Sequence, residues 1–299
     1  MTLTVFAPAK INLYLHVTKR LQNGYHALDS LIGFADIGDK ISVQESDRLS
    51  FSIDGEMAGV LSGRDTDISP QSGNLVVRAI WQMAQHFERA PNLNVRLSKN
   101  LPAGAGIGGG SSDAASMIWA LCCLWDIPKN AANLAAIAEI MIQLGADVPV
   151  CFRAESARVK GIGDVFTPCP SLPEMPVVLV FPAKPCGTVD VFRSYQGGMK
   201  ELVALPNAFE DQDHVIDFLS RCENDLLSSA RSIVPEIDNA LRAIEAQSGC
   251  ALSRMSGSGS CCFGIFENEN QAREAAEAIE QENPDWWVKP GWIGRASRY

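Results

Sequence analysis

The sequence predicts an α+β protein of two domains, and three observations carry that reading. Short runs with period-2 hydrophobicity crowd the first third of the chain, with long helical runs after them rather than in strict alternation. The last third reads as strand, helix, strand, strand, helix, one half of an α+β sandwich. Between them the character shifts near residue 159, and Pro168, Pro170, Pro173 and Pro176 mark a connection or surface crossover. The expected division is 1–160 and 161–299.

Residues 2–6 form a short strand that Ala7-Pro8-Ala9 breaks. Ile11, Leu13, Leu15 and Val17 then alternate with polar positions, a strand with one buried face. Lys10 shares the parity of Asn12, Tyr14 and His16, which turns it from that face; by default it is a solvated lysine. Gln22-Asn23-Gly24 is a turn, and Tyr25-His26 just after it serves either as a lid contact or as plain packing. Strands are expected at 31–35 and 40–43, with residues 36–39 turning between them, and at 49–53. Residues 54–72 are an acidic, glycine-bearing hairpin and loop. Asn74 caps a helix over 75–87, with Val76, Ile80, Met83 and Phe87 on its apolar face. Leu93, Val95 and Leu97 alternate as a strand, which Lys99 and Pro102 lead onward.

The stretch Pro102-Ala103-Gly104-Ala105-Gly106-Ile107-Gly108-Gly109-Gly110-Ser111-Ser112 holds five glycines between positions 104 and 110. Each would cost about 1 kcal/mol against alanine in a helix interior. Such a run suits a backbone that wraps its N–H groups around an anion. An apolar helix over 114–125 follows, so its positive N-terminal end meets the loop, and together they make a phosphate seat. The letters Gly104-x-Gly106-x-x-Gly109 match a dinucleotide fingerprint. The helix is followed by Pro128 and another helix, however, and not by the strand that fingerprint requires. Gly110 is followed by Ser111, not lysine, which excludes a Walker-type loop.

A helix over 131–144 ends at Gly145. In Ala146-Asp147-Val148-Pro149, Asp147 is an acid in apolar company. Burial of an unpaired carboxylate is costly, so it sits at a turn, in a pair or in a functional site. Gly161 to Asp164 turn, residues 177–181 are a buried strand, and 186–192 are a loop entering a helix. Phe192 is core or a stacking ring. Helix follows from Asn224, then over 234–247. Strands at 251–255 and 261–266 flank Ser256-Gly257-Ser258-Gly259-Ser260, on its own an ordinary hairpin turn, and the last helix covers 271–282.

At 299 residues the chain is long enough for two cores. A formal charge of −10 argues against nucleic-acid or anionic-membrane partners, so an anionic substrate needs a locally basic site. Nine cysteines without a Cys-x-x-Cys pair suit a reducing cytoplasm better than a disulfide framework or zinc site. Nothing resembles a signal peptide, since Lys10 interrupts the first apolar stretch, and no run of 18 apolar residues occurs, so no transmembrane helix is expected.

Three pieces stand in one order: Pro8-Ala9-Lys10-Ile11-Asn12-Leu13, the loop from Pro102 to Ser112, and Ser256-Gly257-Ser258-Gly259. Together they resemble the GHMP kinase superfamily over essentially the whole chain, most tightly before residue 165. Gly24-Tyr25-His26 and Gly145-Ala146-Asp147-Val148-Pro149 resemble the branch that phosphorylates a cytidyl diphosphate alcohol in non-mevalonate isoprenoid (terpenoid) biosynthesis. The resemblance implies an N-terminal half like domain 2 of ribosomal protein S5, a ferredoxin-like C-terminal half, and an active site in the cleft between them. It implies ATP and Mg²⁺ as cofactors, and a monomer or weak homodimer.

It places ATP on Pro102, Ala103, Gly104, Ala105, Gly106, Ile107, Gly108, Gly109, Gly110, Ser111 and Ser112, with Asn74 and Lys99 near base and ribose. Ser111 or Ser112 is a possible metal contact. Lys10 and Asp147 become the catalytic pair. Tyr25 and Phe192 stack on the cytosine, His26 reads its edge, and Asn12 and Thr188 touch other parts of the substrate. The alternatives are a sibling kinase of homoserine or mevalonate type, or a ligand sensor without catalysis on the same fold.

Overall fold

The computed structural model describes residues 2–61, 63 and 65–296. Its strands are β1 (Leu3–Arg20), β2 (His26–Glu45), β3 (Ser50–Asp54), β4 (Leu93–Ser98), β5 (Ala157–Gly161), β6 (Val165–Pro168), β7 (Met175–Phe181), β8 (Cys250–Met255), β9 (Cys262–Phe266) and β10 (Trp287–Ile293). Its helices are α1 (Leu75–His86), α2 (Gly109–Leu124), α3 (Ala131–Leu144), α4 (Val148–Arg153), α5 (Thr188–Ser194), α6 (Gln212–Ser220), α7 (Leu227–Ile233), α8 (Glu236–Glu245) and α9 (Glu269–Glu282). Of the loop expected at 54–72, residues 58–60 form a 3₁₀ turn, while positions 62 and 64 lie outside the described residues.

β1 and β2 are each continuous where the sequence suggests a break. The expected breakers face each other: Pro8 pairs with Gly38 beside a register shift. Pro8 needs no ladder N–H at such an irregularity. A Cβ on Gly38 would lie 2.3 Å from the Ala7 carbonyl oxygen, so only glycine lets the strands approach there. The acids read as turn residues are engaged elsewhere. Asp36 accepts from the Trp292 N–H at 2.6 Å and Asp39 from the Leu101 N–H at 2.8 Å.

The first sheet gathers β1, β3, β4, β5 and β6 around β2, and it runs through Pro168, past the expected division at residue 160. The second runs β10-β7-β9-β8, all antiparallel. With its helices, that half reads strand, helix, strand, strand, helix, strand in ferredoxin-like order. β10 and α6 were absent from the sequence reading. One pair, Ile293 opposite Ala35, joins β10 to β2.

Three apolar clusters follow. One lies under α1–α4 against the first sheet, and another lies between β7–β10 and α7–α9. The third spans the seam, joining Ile11, Leu13 and Leu31 to Val177, Leu179, Phe263 and Ile293. β1 contributes to all three, through Val5, Ile11 and Val17. Its polar residues are therefore covered as well: Lys10, Asn12 and His16 are buried. The expectation of a solvated Lys10 fails because both faces of β1 are occupied.

Candidate active site

The glycine loop is shaped by three residues that other side chains could not easily replace. Gly104, Gly106 and Gly108 have φ of 66°, 74° and 67°. α2 begins at Gly109, earlier than the expected 114, because Gly108 serves as its N-cap and accepts from the Ser112 N–H at 2.8 Å. Four loop carbonyls are held from outside. Gly104 accepts from the Cys186 N–H (2.9 Å), Ala105 from Cys261 (3.0 Å) and Ile107 from Lys10 (2.9 Å). Gly106 accepts from the Ser256 hydroxyl (3.2 Å), which itself accepts from the Asn12 N–H (3.1 Å).

Backbone meets backbone here. A Cβ on Gly106 would lie 2.7 Å from the carbonyl oxygens of Ser256 and Gly259, and one on Gly257 would lie 2.8 Å from that of Gly106. The second glycine turn is thus the outer wall of the first, not merely a hairpin. Asn224 secures it by donating from its amide to the Met255 and Gly257 carbonyls, both at 2.8 Å.

Lys10 and Asp147 meet at 2.9 Å. The aspartate stands at the start of α4 but makes no capping bond with its side chain, which is 39% exposed. Its carboxylate is therefore used in the pair and not in the turn. A Cβ on Gly108 would be 3.0 Å from the Cβ of Lys10, so the lysine stem packs directly on the phosphate loop. Two residues along β1, Asn12 donates to Ser30 at 2.8 Å and keeps a buried Oδ1 without a protein partner. Across from it the hydroxyls of Thr188 and Ser258 lie 2.8 Å apart.

A cleft of about 540 Å³ collects these groups. Lys10, Asn12, Asn74, Lys99, Pro102 to Ser111, Asp147, Thr188 and Phe192 all line it. Ser112, Tyr25 and His26 do not. Ser112 is buried in the first turn of α2, and Tyr25 is 60% exposed on the turn before β2. His26 lies behind the cleft wall, stacked on Phe192 at 5.8 Å between ring centres. Burial, with some help from Arg20, holds its imidazole below the usual histidine range.

Lys99 and Asn74 line the cleft with their functional atoms engaged. The Asn74 side chain accepts from the Val76 N–H at 2.9 Å to cap α1. The Lys99 ammonium pairs with Asp39 and, at 2.9 Å, with Asp113. Burial opposes its charge, but the two carboxylates outweigh that and raise it. At Asp113 burial wins instead: together with the neighbouring Asp39 it pushes the carboxyl well above the usual range despite Lys99. The sequence reading missed Asp113, Asp39, Ser30, Asn224 and Ser256. Only Ser256 carried a signal, the second glycine cluster; the others are polar residues whose partners lie far along the chain.

The description GHMP kinases N terminal domain matches residues 74–155, and GHMP kinases C terminal matches residues 207–285. The chain belongs to the GHMP kinase family. It is 38% identical to the 4-diphosphocytidyl-2-C-methyl-D-erythritol kinase of Paramagnetospirillum magneticum, over 97% of this chain and 98% of that one. A relative of the same name from Cereibacter sphaeroides is 41% identical over 95% and 97%. A crystal structure of 4-(cytidine 5'-diphospho)-2C-methyl-D-erythritol kinase superposes with a TM-score of 0.79 at 28% identity, covering 98% of this chain and 100% of that one. The crystal structure of L. major mevalonate kinase in complex with R-mevalonate, with a TM-score of 0.66 at 12% identity over 100% of this chain and 98% of that one, shares the fold.

Proposed function

We propose that the protein is an ATP-dependent kinase that phosphorylates the 2-hydroxyl of 4-diphosphocytidyl-2-C-methyl-D-erythritol in non-mevalonate isoprenoid biosynthesis. The observation that carries the reading is the Lys10–Asp147 pair at 2.9 Å, packed on a glycine loop within one cleft. Phosphoryl transfer to an alcohol needs positioning, charge neutralisation and an acceptor for the hydroxyl proton. The loop N–H groups and the start of α2 receive the β- and γ-phosphates. Asp147 takes the hydroxyl proton, or orients the hydroxyl while the proton leaves late. Lys10 stabilises the charge that develops on the transferring group.

Asn12, with its unpartnered Oδ1, and Thr188 hold the alcohol portion. Phe192 offers a ring to the cytosine and Tyr25 is free to cover it, while His26, which the resemblance assigns to the base edge, stands behind Phe192 and outside the cleft. Among the described residues no cluster of three or more His, Cys, Asp or Glu could hold a metal by itself. Mg²⁺, when bound, neutralises phosphate charge; the Ser111 hydroxyl, which lines the cleft, is the side chain we assign to it. We place the protein in the cytoplasm, as a monomer or weak homodimer without nucleic-acid or membrane partners. Nine free thiols fit a reducing compartment, and no helix among the described residues is long and apolar enough to cross a membrane.

The test is ADP release with Mg-ATP and the cytidyl substrate, set beside homoserine, mevalonate and unsubstituted methylerythritol phosphate. Turnover confined to the cytidyl compound is expected. Turnover of another alcohol would keep the kinase and discard the cytosine reading.

A further inference from the structure

The link between α6 and α7 carries Glu223-Asn224-Asp225 alongside β1. The Leu15 N–H bonds to the Glu223 carbonyl at 3.0 Å and the Asp225 N–H to the Leu15 carbonyl at 2.8 Å. The Asp225 carboxylate accepts from the Val17 N–H at 2.7 Å and pairs with Lys200 at 2.8 Å. Arg254 adds bonds to the carbonyls of Leu13, at 2.6 Å, and Cys222, at 2.7 Å. This backbone is therefore a fixed rail on β1, and Asn224 is 5% exposed upon it.

The Asn224 side chain uses its whole amide. Its Oδ1 accepts from the Leu226 N–H at 3.0 Å, and its Nδ2 donates to the Met255 and Gly257 carbonyls. The Leu226 N–H can only meet an oxygen, which settles the orientation of the amide and leaves both of its donors facing the two carbonyls.

Those carbonyls bracket Ser256 and open the second glycine turn, whose Gly257 and Gly259 take φ of 56° and 82°. The turn borders two parts of the cleft at once. On one side Gly257 packs on the Gly106 carbonyl of the phosphate loop. On the other, a Cβ on Gly257 would lie 3.2 Å from Asn12 Oδ1. The next residue, Ser258, lines the cleft and meets the Thr188 hydroxyl.

We propose that Asn224 is a positioning residue for phosphoryl transfer: by holding the Met255 and Gly257 carbonyls to the rail on β1, it sets the distance between the glycine loop and the residues assigned to the acceptor alcohol, Asn12 and Thr188. The inference rests on the substrate reading above.

Steady-state kcat and both KM values test it in Asn224→Ala, Asn224→Asp and Asp225→Ala, at a temperature where circular dichroism shows each full chain folded. Asn224→Ala leaves each subsite intact but frees the distance between them. Its kcat should fall about 10- to 100-fold, with each KM changing by less than about threefold. Asn224→Asp keeps the shape but turns a carboxylate toward two carbonyl oxygens, which raises its pKa; once protonated, it donates to one of them. Its kcat relative to wild type should therefore recover as pH falls from about 9 to about 6, while the ratio for Asn224→Ala stays flat. Asp225→Ala loosens the same rail without touching the turn, so it should lower stability and leave kcat within about twofold.

A folded Asn224→Ala with wild-type kcat, or an Asp225→Ala that loses as much, overturns the role and leaves the substrate reading standing. So does an Asn224→Asp ratio that ignores pH, and that measurement decides alone if the alanine variant does not fold. A wild-type chain that turns over another alcohol discards the substrate reading, and the same variants then judge Asn224 on that alcohol. No turnover of any alcohol removes both.

Discussion

Lys10 and Asp147 are 137 residues apart in sequence and share a hydrogen bond, so neither alone is expected to sustain transfer. Asp147→Asn keeps the shape and removes the proton acceptor; kcat should fall at least about 100-fold, measured by ADP release, while ATP binding holds. Near wild-type turnover would sink the assignment. The buried Asp39–Lys99–Asp113 cluster calls for a different outcome at each member. Lys99→Met removes the ammonium that the buried Asp39 carboxylate pairs with and should cost about 3–5 kcal/mol in urea unfolding. Asp113→Asn should be tolerated. The folded carboxyl titrates above its unfolded value, so the native state holds the extra proton between those two points. That contribution is fully present below about pH 4 and lost as pH rises through the folded value. Asp113→Asn should therefore flatten that part of the stability–pH curve, and an unchanged slope would show Asp113 ionised throughout.

The two glycine turns behave as one element. Gly106→Ala must displace both the Ser256 and the Gly259 backbone and also take a φ of 74°. It should lower stability by about 1–3 kcal/mol and raise KM for ATP more than KM for the alcohol. Equal effects on both would mean the loop does not seat the nucleotide. Elements with their own periodicity were legible in the sequence: α3 was read to the residue, and α1, β4 and α8 within a few positions. What escaped was set by distant partners. β2 read as two strands because Asp36, Gly38 and Asp39 look like a turn until Pro8, Trp292 and Leu101 are beside them. β10 was hidden by Pro290 and Gly291, which follow its apolar start. In the same way Lys10, Asn12, the loop and Asp147 were legible as residues in the cleft. The meshing of Ser256 with Gly106, the pairing of Lys99 and the reach of Asn224 to Gly257 depend on folds of the chain that no local pattern encodes.

Across the whole molecule, β1 runs through all three apolar clusters, and one of them is built from both halves. Residues 1–168 expressed alone would expose Ile11, Leu13 and Leu31 where Val177, Leu179 and Phe263 normally cover them. That fragment should be insoluble or expanded, and the full chain should unfold in one urea transition seen equally by fluorescence and circular dichroism. Two separated transitions would mean that each half keeps its own stability. The meshed turns carry a consequence for recombination. Splicing the first half of this kinase to the second half of a distant relative joins Gly106 to a wall it was not shaped against. Crossover points anywhere between residues 110 and 255 cut that fit, so working chimeras must carry both glycine turns from one parent, however well the rest of the junction is matched.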